Sequence, residues 1–231
     1  MVLSRLIAKH GNMGRTAGMH AIATRRVKVD HQTVSDGQHP VDRFSHVTLD
    51  DSVVQEGGGA LYIMLHKPAG YLSATSDPQH PTVMDLIQHP DRETLHIAGR
   101  LDRSSSGLLL LTNDGRWSKA LTDPAAKVDK VYVVETAHPI DPGAVEKFAA
   151  GFYFHTEDLT TLPAKLEIIS ERTARVALHE GRYHQIKRMF HRVNNRVVRL
   201  HRSSIGPLML SDELPEGQWR ELTAQELTAF T

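Results

Sequence analysis

Residues 99–115 read GRLDRSSSGLLLLTNDG, and the fold turns on how this stretch is read. Leu108–Thr112 is a short apolar run bounded by turn signals, and it reads as a buried strand. Asn113-Asp114-Gly115 after it reads as a tight turn. Just before the strand, Asp102 lies between Leu101 and Arg103, with Arg100 one residue further back. An aspartate in a polar loop is most often a turn or capping residue. A nucleophile or acid–base group needs partial shielding from water and a cation close by. The glycines of the stretch match neither a phosphate-binding P-loop, which ends in Gly-Lys-Ser/Thr, nor the GxGxxG pattern, so nucleotide binding is not indicated.

Outward from this stretch the chain alternates strands with occasional helices. LYIMLHKPAGYL, residues 61–72, reads as a buried strand closed by a Pro-Ala-Gly turn, and KVYVVET, AKLEIIS and RVALHE read as further strands. Helices are expected over 142–150 and 184–193. There is no regular βαβ repeat, so the fold class is α+β with a largely antiparallel sheet flanked by helices. Before residue 55 the pattern is different. Leu3, Leu6 and Ile7 have helical spacing, residues 16–24 form a second weakly amphipathic stretch, and RVKVD alternates like a short strand. QEGGGA, residues 55–60, is the strongest linker signal because three glycines in a row are entropically costly inside an element. Two domains are therefore expected, 1–57 and 58–231.

The 231 residues are 40% hydrophobic and 23% charged, an ordinary globular composition. No apolar run approaches a membrane span, and the N-terminus lacks the pattern of a cleaved signal peptide. Without cysteine there is no disulfide, thiol nucleophile or zinc–thiolate site, which fits a reducing cytoplasm. Net charge is zero, from 27 basic and 27 acidic residues, but the distribution is uneven. Residues 1–46 carry seven Lys/Arg against three Asp/Glu, and residues 181–202 carry seven with no acid. Such segments are either solvated faces or local phosphate sites.

Within the second basic segment, Lys187 and Arg188 fall early in a predicted helix after the turn at Glu180-Gly181-Arg182. Tyr183, Met189 and Phe190 are expected to pack apolar surface and hold the two cations. A cation held this way can pair with a carboxylate and also meet RNA phosphate. Tyr132, in KVYVVET, is either a cross-strand aromatic or a ring for stacking on a base and moving a proton. HEGRYH, residues 179–184, approximates the HExxH zinc helix but has one residue too many between its histidines and a glycine inside. His184 and His191 have no third ligand nearby in sequence. No metal is expected.

Taken together, LHKPAG, AGRLDRSSSGLLLLTNDG, KVYVV and EGRYHQIKRMF resemble the RsuA-type pseudouridine synthases, which isomerise uridine in bacterial ribosomal RNA. The resemblance implies a pseudouridine synthase domain and a cofactor-independent reaction. It places Asp102 at the nucleophile position and Tyr132 at the tyrosine that stacks on the target uracil and serves as candidate general base. Lys187 falls at the basic position that pairs with the aspartate, and Leu178 at an apolar position under the base. Arg100, Arg103 and Arg188 would meet the RNA backbone, and His184 and Gln185 would help build the loop.

The N-terminal segment resembles an S4-type RNA-binding domain, with Arg15, Arg25, Arg26 and Lys28 as its RNA-facing cations. It departs from that pattern in having Gly14-Arg15 where Ser-Arg is usual, which removes a helix cap. It also has Asp30-His31 where Asp-Gly or Asn-Gly is usual, with a hairpin turn expected at His31-Gln32. YHQIKRMF and DPQHPTV, residues 77–83, favour the small-subunit members of the family. The implied substrate is 16S rRNA, at uridine 516, alone or within a precursor ribonucleoprotein particle, acted on by a monomer. Alternatives are a 23S rRNA synthase, a non-catalytic RNA-binding or assembly factor, and a hydrolase with Glu180 as second carboxylate.

Overall fold

In the computed structural model, which describes residues 1–230, the chain divides into two compact units after Ala60. The first holds α1 (Leu3–His10), α2 (Arg15–Ala23), β1 (Val27–Val29), β2 (Gln32–Thr33), β3 (Val47–Leu49) and β4 (Ser52–Gln55). Leu3, Leu6 and Ile7 of α1 share a core with Ala21, Ile22, Val27, Val29 and Val47. The α2 N-cap is Gly14, which makes no side-chain capping bond. The β1–β2 turn lies at Asp30-His31, one residue before its expected place, because Val29 pairs with Gln32. Both turn residues have positive φ, and the Asp30 carboxylate accepts the His46 N–H at 2.8 Å. That local acceptor role offsets the missing glycine. In the expected linker, Gly57 is structural: at φ +76° its Cβ would lie 2.5 Å from the Phe44 carbonyl oxygen.

The second unit is built on a nine-stranded sheet among the described residues. Its strands are β5 (Tyr62–Lys67), β6 (His96–Ala98), β7 (Ser106–Thr112), β8 (Lys130–Thr136), β11 (Lys165–Ser170), β12 (Thr173–Leu178), β13 (Val197–Ile205), β14 (Leu208–Met209) and β15 (Trp219–Glu221). β9 (Tyr153–Phe154) and β10 (Leu159–Thr160) form a separate hairpin. The helices are α3 (Gly115–Thr122), α4 (Ala144–Ala150), α5 (Gln185–Arg192) and α6 (Ala224–Thr228). The main path runs β11-β12-β8-β13-β7-β5-β15, antiparallel throughout except for β7 beside β13.

The leucine run follows from this topology. Leu109 and Leu111 face one core with Phe148 of α4 and Ile186, Met189 and Phe190 of α5. Leu108 and Leu110 face the other with Leu121 of α3, Ile205 and Leu208. A strand covered on both faces needs apolar side chains at every position, not at alternate ones.

Asn113-Asp114-Gly115 departs from expectation. The segment opens α3, with the Asp114 carboxylate accepting the Arg116 and Trp117 N–H groups at 2.9 and 3.3 Å. An aspartate that captures the amide two residues on serves a turn or a helix start equally well.

Candidate active site

Asp102 leaves the sheet one short loop before β7, and Lys187 lies in the first turn of α5. Their side chains meet across 85 residues of sequence, with Lys187 Nζ 2.8 Å from Asp102 Oδ2. The same ammonium donates to Ser104 Oγ at 2.9 Å, so the cation is held from two sides. His184 Nε2 stands 3.6 Å from Asp102 Oδ1. Asp102 is about three-quarters covered, its side chain being 25% exposed. It therefore opens to a cleft while keeping a fixed cation, the condition set out for a nucleophile.

The cleft is lined by Arg100, Leu101, Asp102, Tyr132, Leu178 and Ile186, together with the 181–185 turn. Tyr132 and Leu178 are buried and reach it from β8 and β12, where Val176 pairs with Tyr132 and Leu178 with Lys130. Alternation along the two strands turns both side chains to the same face. The result is a slot in which a carboxylate, an aromatic ring and an aliphatic side chain meet beside Arg100, Arg182 and His184.

Other predicted residues have different placements. Gln185 is buried and ties the turn, its amide donating to Glu180 Oε1 at 2.7 Å and its oxygen accepting from the Arg182 N–H at 3.0 Å. Arg103 reaches back to the Gly70 carbonyl at 3.0 Å, fastening the Pro-Ala-Gly turn instead of facing the cleft. Arg188 lies over the Phe154 ring at 3.5 Å and bonds Glu157 and Thr156 of the β9–β10 hairpin. Tyr183, expected in the apolar packing of α5, is 75% exposed, whereas Met189 and Phe190 are fully buried. Glu180 is buried and holds Leu162 N–H, Arg182 and Gln185, so it is no second carboxylate at the cleft. In the first unit Arg15 and Arg25 are exposed, while Arg26 pairs with Asp50 and Lys28 with Asp51.

Sequence reasoning missed the supports of the loop. Arg202, buried on β13, donates to the carbonyls of Leu108 at 2.8 Å and Gly99 at 2.9 Å, with Arg100 at 3.4 Å. It pins both ends of the segment that carries Asp102. Gly107 makes room for it: at φ +109° a Cβ there would fall 2.3 Å from the Arg202 carbonyl oxygen. Ser73 Oγ donates to the Leu101 carbonyl and accepts the Leu101 N–H, at 2.7 and 3.1 Å. Lys67, fully buried at the end of β5, donates to the Ser105 and Pro68 carbonyls at 2.7 and 2.9 Å. Burial lowers its pKa to about 8, against an opposing pull from the Asp102 carboxylate. Buried cations of this kind leave no local sequence signal, since Lys and Arg are ordinarily surface residues.

Comparison with known proteins agrees with this geometry. The sequence model of the RNA pseudouridylate synthase family matches residues 61–192. The chain is 53% identical over 227 residues to the ribosomal small subunit pseudouridine synthase A of Pseudomonas aeruginosa, covering 98% of this chain and 99% of that one. It is 39% identical to the Escherichia coli protein of the same name, with 99% of each chain covered. A crystal structure of a pseudouridylate synthase superposes with a TM-score of 0.73 at 34% identity, over 100% of both chains. The slot, its paired carboxylate and these relatives converge on one assignment: the chain is a member of the RNA pseudouridylate synthase family.

Proposed function

We propose that this protein converts one uridine of 16S ribosomal RNA, uridine 516, to pseudouridine, with Asp102 as nucleophile. The observation that carries the reading is the Asp102–Lys187 pair at 2.8 Å at the mouth of a slot walled by Tyr132 and Leu178. Small-subunit RNA is favoured because the relatives at 53% and 39% identity, matched over nearly their whole length, are named for the small subunit.

The reaction is an isomerisation. The bond from ribose C1′ to uracil N1 breaks, the base turns, and C1′ bonds to C5, while C5 loses a proton and N1 gains one. Asp102 either attacks the sugar or triggers elimination to a glycal. Lys187 neutralises the resting carboxylate and fixes its direction. Tyr132 and Leu178 sandwich the freed uracil so that it turns without leaving, and the Tyr132 hydroxyl is the candidate base for the ribose proton in the glycal route. The target must leave its stack, at a cost of a few kcal/mol, before it reaches the slot. Arg100, exposed at the rim, is positioned to meet its phosphate.

The first unit, read as an S4-type domain, adds sequence-independent RNA contact. Of its four candidate RNA-facing cations, Arg15 and Arg25 are exposed, whereas Arg26 and Lys28 already have acidic partners. No helix of the described residues is long and apolar enough to cross a membrane, and a cytoplasmic place of action suits ribosomal RNA.

The test is incubation with 16S RNA, with its precursor particle and with 23S RNA, followed by pseudouridine mapping. Modification of the 16S species alone is expected, and Asp102→Asn should bind the RNA without modifying it. An unchanged 16S profile beside a modified 23S RNA would refute the substrate. Normal turnover by Asp102→Asn would refute the nucleophile.

A further inference from the structure

Tyr183 stands out among the aromatic residues of the second unit. It is 75% exposed, yet its ring is held, stacked on His184 with centroids 3.9 Å apart and planes 17° from parallel. His184 occupies the left-handed region at φ 50°, as nine other non-glycine residues among those described do. The turn is held from both sides. Gln185 fastens the turn to Glu180, and Arg188 donates to the Tyr183 carbonyl at 3.3 Å. The result is a pair of near-parallel rings, with His184 beside Asp102 and Tyr183 open to solvent.

The position of this pair gives it a use. His184 lines the Asp102 slot and also a second depression, shared with Lys187, Arg188, His191 and Arg192. His184 is therefore shared by the place for a uracil and a depression lined by Phe154, His155 and Thr156 as well as by basic side chains, with Tyr183 stacked on His184. Consecutive nucleotides are one backbone unit apart, so a strand whose uridine has entered the slot brings a neighbouring nucleotide within reach of the His184 turn.

We propose that the Tyr183–His184 pair is a stacking platform for the base adjoining the target uridine. It holds the unstacked strand open once the uridine has turned into the slot. The base lies on the outer face of Tyr183, and its phosphate runs toward the exposed Arg192, since Arg188 is already paired with Glu157. Stacking takes any base, so the platform supplies affinity for an opened strand without reading sequence. This inference rests on the reading of the Asp102 slot as the uridine site.

The test measures kcat/KM on 16S RNA, and in parallel on 23S RNA, for the wild type and for Tyr183→Phe, Tyr183→Leu, Tyr183→Ala and Asp102→Asn. One lost base–aromatic stack corresponds to about 5- to 150-fold. Tyr183→Phe is expected to stay within about twofold, and the leucine and alanine variants to fall by that factor. Their thermal midpoints should be unchanged, since the ring is exposed. A second readout separates stacking from a structural role: Tyr183→Trp should gain fluorescence that substrate RNA quenches beyond the wild-type response. Alanine within twofold of wild type, leucine equal to phenylalanine, or no added quench would each overturn the platform. Loss in Asp102→Asn with none in Tyr183→Ala overturns the platform alone. Full turnover by Asp102→Asn overturns the slot and the platform together.

Discussion

Replacing Arg202 by methionine tests whether the Asp102 loop is held from β13. Arg202 is 1% exposed, and its guanidinium makes two short bonds to carbonyls, at 2.8 Å to Leu108 and 2.9 Å to Gly99, with a weaker one at 3.4 Å to Arg100. Each hydrogen bond from a charged donor contributes roughly 1.5–3 kcal/mol, so the two short bonds are together worth about 3–6 kcal/mol. Methionine fills much of the volume and removes the cost of a buried charge, which offsets part of this. It leaves the carbonyls facing an apolar side chain, so a net loss of about 3 kcal/mol is expected. In urea, with a slope of about 2–3 kcal/mol/M for a unit of this size, the midpoint should fall by roughly 1–1.5 M.

The same substitution should act on the chemistry. Gly99 and Arg100 lead directly into Asp102, and a displacement of about 1 Å at a reacting group costs on the order of 100-fold. We predict that kcat falls 10- to 100-fold below the unfolding transition while RNA affinity changes less than about twofold. Arg202→Lys, which keeps the charge but not the fork, should lie between. The assay is single-turnover pseudouridine formation alongside urea melts followed by circular dichroism. An Arg202→Met protein within about 1 kcal/mol of wild type and with normal kcat would refute the argument that β13 positions Asp102.

Gly107→Ala places a Cβ 2.3 Å from the Arg202 carbonyl oxygen at φ +109°. Strain and overpacking of about 1–3 kcal/mol each predict a loss of roughly 2–6 kcal/mol in a urea melt, and a change below 1 would contradict it. Lys67 gives a pH signature. The folded chain releases this proton near pH 8 and the unfolded chain near 10.5. Between those values the unfolded state binds more protons, so this group's contribution to stability rises with pH, and below pH 8 the burial cost is fully present. Wild type should therefore gain on Lys67→Met between pH 7.5 and 10 in matched melts, and a constant difference would refute the shift. Removing the exposed cations with Arg15→Ala and Arg25→Ala should flatten the salt dependence of RNA binding by about 1.4–1.8 in log–log slope, and an unaltered slope would remove the first unit from the interface.

The legible parts of this fold were those whose signal is local. The leucine run declares a strand because burial on two faces leaves no polar positions, and the helix expected over 184–193 is observed over Gln185–Arg192, with Met189 and Phe190 packed as expected. The meeting of Asp102 with Lys187 had no local signal, since neither residue constrains the other across so much chain. It came from the joint family pattern of GRLD and QIKR. Asp114 was misread because an Asx turn and a helix cap use the same bond. The apolar spacing of Trp117 and Leu121 was the cue that separates them. Tyr183 is expected, with Met189 and Phe190, in the apolar packing that holds Lys187 and Arg188, and the left-handed turn at His184 leaves it outside that packing. Arg202 and Lys67 went unseen because a cation held by carbonyls looks, in sequence, like any solvated one.

The parallel pairing of β7 with β13 also governs when the site comes into being. Ser106 lies against His201 and Gly107 against Arg202, so the segment that carries Asp102 is completed by residues about a hundred positions downstream. Closing so long a loop is slow, and contacts between distant residues form late in folding. During synthesis the GRLD loop leaves the ribosome together with its Ser73 and Lys67 supports but long before Lys187 and Arg202, so for that interval Asp102 lacks its counterion and its hold on β13. The complete Asp102 site forms only once the last fifth of the chain is available. In refolding, the return of activity should lag the return of sheet signal.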